Sequence, residues 1–72
     1  MRKEIIEYIQ DNRIAIIFDS PSGLEVDLYE DNNFVETRKI HEHNKYYARD
    51  LANNWITKLI KRATRIVTGK QI

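Results

Sequence analysis

Ahead of Asn44, apolar and polar residues alternate in short runs; after it they repeat with the period of a helix. The alternation is strictest from Leu24 to Tyr29. Leu24, Val26 and Leu28 point one way, and Glu25, Asp27 and Tyr29 the other, as in a half-buried strand. Residues 13–19 read as another strand, with Ile14, Ile16 and Phe18 on one face and Ala15, Ile17 and Asp19 on the other. The bulkier set is assigned to the core. Between these runs lies Ser20-Pro21-Ser22-Gly23, a turn in which proline presets φ and glycine accepts a positive φ. Asp31-Asn32-Asn33 is a second turn, since Asp and Asn tolerate the left-handed conformation. Residues 34–40 form the next strand. Pairing Leu28 opposite Val35 keeps both inside and leaves Glu25, Asp27, Glu36 and Arg38 on a mostly acidic outer face. Residues 3–10 fit two readings. Ile5, Ile6 and Ile9 share one helix face, but the β-branched content and the Asp11-Asn12 turn favour a strand.

Asn44 is a good N-cap, because its side chain can accept from an amide of the first helical turn. The spacing predicts a helix over residues 45–67. Tyr47, Leu51, Trp55, Leu59 and Ala63 form its central stripe, and Ala48, Ala52, Ile56 and Ile60 widen it. In this reading Tyr47 points in and Tyr46 out, and Gly69 sits where a left-handed C-cap is expected. Such a helix is about 33 Å long and a strand of this size about 20–24 Å, so the basic end of the helix should project past the sheet. The predicted fold is α+β: an antiparallel sheet of three to four strands on one long C-terminal helix, in order β-β-β-β-α. The alternative makes the first element a short helix. The expected core is Ile14, Ile16, Phe18, Leu24, Val26, Leu28 and Val35 from the sheet, with Leu51, Ala52, Trp55 and Leu59 from the helix.

At 72 residues the chain is a single small domain. Its net charge of +1 hides an asymmetry: residues 1–42 hold five Lys/Arg against ten Asp/Glu, and residues 43–72 hold seven against Asp50 alone. Such asymmetry points to interaction surfaces, although an acidic sheet beside a basic helix could also balance internally. There are no cysteines, which excludes disulfides and thiolate chemistry and suits a reducing compartment. No apolar run approaches the ~20 residues of a membrane-spanning helix, and the N-terminus lacks a signal-peptide core, so a cytoplasmic location is expected.

Candidate chemistry is sparse. Gly23 and Gly69 are too few for a phosphate loop. Ser20 and Ser22 flank a proline, where serine serves the turn. Glu25 and Asp27 lie on a solvated strand face with nothing to raise a carboxyl pKa. In extended chain the imidazoles of His41 and His43 could face one ion, but two histidines do not complete a tetrahedral site, so no metal and no cofactor are expected. Two surfaces remain as partner-binding candidates. One is the basic run Lys58, Lys61, Arg62 and Arg65, on one side of the helix, although cations there also complement the helix dipole. The other is apolar: pairing Ile9 with Ile14 brings Ile6, Tyr8, Ala15 and Ile17 together, on the side away from the helix.

Residues 26–38 and the segment His43 to Trp55, with its Tyr47-Ala48-Arg49-Asp50-Leu51-Ala52-Asn53-Asn54-Trp55 helix, resemble short uncharacterised proteins encoded by phages of cyanobacteria. The resemblance spans residues 24–60, and the basic tail after Trp55 is longer than that family's pattern. It carries no catalytic residues. It implies a small phage protein, made in a host cytoplasm, that binds a host or phage macromolecule. The expected function is therefore a non-enzymatic binding protein that modulates a macromolecular partner, a protein first of all, with a homodimer possible. The alternative is a nucleic-acid-binding accessory protein that uses the basic helix end.

Overall fold

In the computed structural model, which describes residues 1–58, four strands follow one another: β1 (Lys3–Gln10), β2 (Arg13–Ser20), β3 (Gly23–Glu30) and β4 (Asn33–Lys39). A single helix follows them, α1 (Lys45–Ile56). The sheet is an antiparallel meander in the order β1-β2-β3-β4. The expected β-β-β-β-α order is thus the observed one, and residues 3–10 are a strand.

Each hairpin closes on two residues, with Gln10 paired to Arg13, Ser20 to Gly23 and Glu30 to Asn33. Asp11, Asp31 and Asn32 take the left-handed conformation that such tight turns require (φ 54°, 56° and 66°). Gly23 has φ 133° and lies against the backbone of His41, where a Cβ would stand 2.8 Å from the His41 Cα.

The turn lengths decide which faces share a side. A two-residue loop after Ser20 places Leu24 opposite Asp19, Val26 opposite Ile17 and Leu28 opposite Ala15. The inward set of β3 therefore brings Ala15 and Ile17 with it, and both are buried. This corrects the sequence expectation, which put Ile14, Ile16 and Phe18 in the core. Those three are half-buried on the opposite face. The expected pairing of Ile9 with Ile14 is present, but Ile6, Tyr8, Ala15 and Ile17 face the helix rather than away from it.

Helix α1 lies over β2 and its neighbours β1 and β3. Ala15, Ala48 and Ala52 are wholly buried, and small side chains there let the helix approach the sheet closely. Leu51, Trp55 and Ile56 complete the helical side of the core, with Ile40 from the connection and Leu24 and Val35 packed at its margin. The Asn44 side chain accepts from the Tyr47 amide at 3.1 Å, the expected N-cap. Tyr47 itself is exposed, against expectation, and stacks on His43.

Two further expectations change. A bulge between Leu28 and Tyr29 shifts β4 by one residue, so Leu28 faces Glu36 rather than Val35, and Val26 faces Arg38. Glu36 and Arg38 therefore lie on the helix side of the sheet, and Thr37 and Lys39 join Asp27 and Glu25 on the outer side. The described helix ends at Ile56, and the expected 45–67 helix beyond Lys58 lies outside the described residues. Thr57 is its C-cap, and Lys58 turns into the left-handed region (φ 68°), its amide bonded to the Trp55 carbonyl at 3.0 Å. The segment expected to project past the sheet, residues 59–67, lies outside the described residues. Lys58 itself sits in the cap turn. Leu59, Lys61, Arg62, Ala63, Arg65 and Gly69 lie outside the described residues. No helix among the described residues is long and apolar enough to cross a membrane.

Candidate interaction groove

The first strand is an edge of the sheet, and its outer side is unpaired among the described residues. It carries a bulge between Glu4 and Ile6. A bulge opposes two residues to one and breaks the alternation of side chains. Ile5 and Ile6 consequently both line the same groove, between β1 and the N-terminal end of α1. Tyr8, Ile17, Leu24 and Tyr46 make the remainder of its apolar wall, and its volume is about 580 Å³. Asp19, Asn44, Lys45 and Arg49 form a polar rim.

The groove is open where it matters for contact. Ile5 is 55% exposed, Ile6 44% and Tyr46 64%, while Ile17 forms a buried floor at 3%. Lys45 and Arg49 are one helical turn apart and have no ion pair among the described residues. The Arg49 guanidinium lies 5.6 Å from the centre of the Tyr46 ring. The site thus combines an apolar trough, a strand edge with unpaired backbone groups and a basic rim, the components of a surface that receives an extended peptide. It has no concentrated acid–base chemistry.

A cluster of titratable groups lies instead on the outer face of the sheet, where Glu25 and Asp27 are paired. Arg2 lies 3.8 Å above the Phe18 ring, with Nε 3.2 Å from Glu25 and Nη2 2.7 Å from Asp27. Thr37 Oγ1 donates to the second Asp27 oxygen at 2.6 Å. His41 Nε2 meets Glu25 at 2.9 Å, and the Ser20 hydroxyl reaches the same oxygen at 3.4 Å. The His41 hydrogen bond, with help from the Arg2 charge, holds the Glu25 carboxyl below the usual glutamate range. Ser20 also accepts from the Ser22 amide and donates to the Gly23 carbonyl, so it serves the turn.

The two histidines do not converge. Residues 41–43 form a turn closed by the His43 amide on the Ile40 carbonyl at 3.0 Å. His41 turns to Glu25, and His43 stacks on Tyr47 with ring centres 3.8 Å apart. Among the described residues no group of three or more His, Cys, Asp and Glu could hold a metal ion.

Of the sequence candidates, Ile6, Tyr8 and Ile17 are brought together, on the side opposite to the one expected. Lys58 is distant in the fold from them, at the far end of α1, and Lys61, Arg62 and Arg65 are outside the described residues. Sequence reading missed Ile5, Leu24 and Tyr46 as walls and Lys45 and Arg49 as rim. The signal for Ile5 was present, since two consecutive isoleucines in an otherwise alternating strand suggest a bulge. No protein-family model matches the chain, no curated protein matches it in sequence, and no solved structure matches its fold.

Proposed function

We propose that this chain is a non-enzymatic binding protein that takes an extended segment of a partner protein against the edge of β1. The observation that carries the reading is the apolar groove running along an unpaired strand edge. Backbone pairing with β1 supplies register, and alternate apolar side chains of the partner enter the trough beside Ile5, Ile6 and Tyr46. Lys45 and Arg49 favour a partner segment with acidic residues flanking the apolar ones. The full internal occupation of Glu25 and Asp27 supports a reading without acid–base catalysis. The resemblance of residues 24–60 to small phage proteins supports a host or phage macromolecule as the partner, met in a host cytoplasm.

The test is a selection of peptides from a random library on the full chain, followed by titration. Bound sequences should alternate apolar residues and be enriched in acids, and Ile5→Lys and Ile6→Lys should abolish their binding while leaving the fold intact. Peptides that bind both variants as tightly as the native chain sink the groove reading. A second reading has one observation in its favour: exposed Tyr46 and Tyr47 are interleaved with Lys45 and Arg49 at the start of α1. Exposed aromatics among cations suit single-stranded nucleic acid. If that reading holds, a labelled oligonucleotide binds in a salt-dependent way and Tyr46→Ala removes the binding.

A further inference from the structure

The outer face of the sheet is not covered by α1, and one row of it is apolar on every strand. Ile9 pairs with Ile14, Ile14 with Tyr29, and Tyr29 with Phe34. Beside this row, between the Asp11-Asn12 and Asp31-Asn32 turns, is a hollow of about 380 Å³. Ile9 and Ile14 give it an apolar floor, and the turn residues give it an acidic rim. Neither Asp11 nor Asp31 has an ion pair among the described residues. The groove beside β1 has the opposite character. Its trough exposes Ile5, Ile6 and Tyr46, and its rim carries Lys45 and Arg49, which also have no ion pair among the described residues. Each surface thus presents the charge that the other lacks.

Their places in the fold decide how two copies can meet. Strand β2 runs from one surface to the other: Ile14, near its start, lines the hollow, and Ile17 and Asp19, near its end, line the groove. Ile17 faces the helix, and Ile14, an odd number of residues away, faces outward. Hollow and groove therefore lie at opposite ends and on opposite faces of the sheet. A two-fold dimer sets the same patch of both copies together, which here brings acid to acid or base to base. A head-to-tail contact brings acid to base and leaves each copy a free surface for the next. We propose that the groove is occupied by a second copy of this chain, joined head to tail, with Lys45 and Arg49 of one copy entering the hollow of the other. Long basic side chains suit that hollow, since their alkyl stems lie on Ile9 and Ile14 while their charged heads meet Asp11 and Asp31. Ile9, 62% exposed, is then covered by the apolar trough of the neighbour. The inference rests on the groove reading above and identifies the partner protein.

Sedimentation of the full-length chain, of two variants and of their mixture tests this. The native chain should form species larger than a dimer as its concentration rises, and fewer of them in salt. Lys45→Glu with Arg49→Glu removes the basic side and should leave a monomer. Both residues are exposed, and a glutamate at the start of a helix suits its dipole, so the fold is retained. Asp11→Asn with Asp31→Asn removes the acidic side and should leave a monomer too. Asparagine keeps the left-handed turns, and at position 31 its oxygen still accepts from Asn12. Each variant retains the surface that the other has lost, so an equimolar mixture should form a dimer and stop there. A native chain that stays monomeric overturns the proposal, as does a native assembly that ends at a dimer or a mixture that forms none. The peptide titration does not depend on Asp11 or Asp31, so a monomeric native chain that binds the selected peptides overturns this inference and leaves the groove reading standing.

Discussion

Trp55 is fixed on three sides at once. Its ring lies under Arg13 at 3.9 Å, its indole N–H donates to Tyr29, and its carbonyl accepts from Arg13, whose Nε lies 3.2 Å from Glu30. A wholly buried aromatic of this kind costs about 3–5 kcal/mol when cut to alanine, a large share of the stability of so small a domain. Chemical denaturation of Trp55→Ala should therefore find little or no folded protein at room temperature. Gly23 is a second sensitive position for a different reason. A methyl group there meets the His41 backbone, and φ 133° is strained for any L-residue, so Gly23→Ala should cost on the order of 1–3 kcal/mol in the same assay. Glu25 gives a pH dependence of definite sign. Its carboxyl titrates below the ordinary value of 4.5 because His41, and then Arg2, favour the ionised form. The folded state then binds fewer protons than the unfolded chain. The stability it contributes is present above about pH 4.5 and is lost as pH falls through the lowered value. Denaturation midpoints of the native chain should approach those of Glu25→Gln as the solution is acidified. A gap between them that widens in acid contradicts this assignment.

At the scale of elements, strand limits and the helix start were legible, because alternation, turn residues and the Asn44 cap each have a local cause. The face of β2 was equally available but was read from the wrong cue. Ile14, Ile16 and Phe18 are bulkier than Ala15, Ile17 and Asp19, and side-chain size suggested the core. Turn length decides the matter instead, since a two-residue loop after Ser20 ties Leu24, Val26 and Leu28 to Asp19, Ile17 and Ala15. The β4 bulge had no comparable signal in the sequence, because Asp31-Asn32 alone prescribes an unshifted pairing. The cap turn at Lys58 was not legible, because no glycine marks that left-handed residue and the apolar stripe of the sequence runs past it to residues 59 and 60. That position allows a clean test. In a left-handed cap glycine avoids the roughly 1 kcal/mol or more that a side chain costs, so Lys58→Gly should raise stability. In a helix continuing to residue 67 the same change should lower stability by about 1 kcal/mol. Thermal unfolding of the two chains distinguishes these outcomes.

For the molecule as a whole, the consequential fact is which side of the sheet the helix covers. With α1 on the Ala15–Ile17 side, the edge of β1 and the start of the helix enclose the groove, and the Ile9–Ile14–Tyr29–Phe34 row is left on the far side. Reversing that choice would bury the row and dismantle the groove, so the proposed partner site depends on it. Two adjacent residues of β2 report on it directly. Ile17 is 3% exposed and belongs to the core, so a lysine there buries a charge without a partner. Ile16 is half-buried on the outer face, and its cross-strand neighbour on β1 is the exposed Glu7, which can receive a cation. The deciding measurement is thermal unfolding of Ile16→Lys and Ile17→Lys side by side in the full-length chain. The expected result is a cooperative transition near that of the native protein for Ile16→Lys and an unfolded chain for Ile17→Lys; an unfolded Ile16→Lys beside a native-like Ile17→Lys would contradict the account.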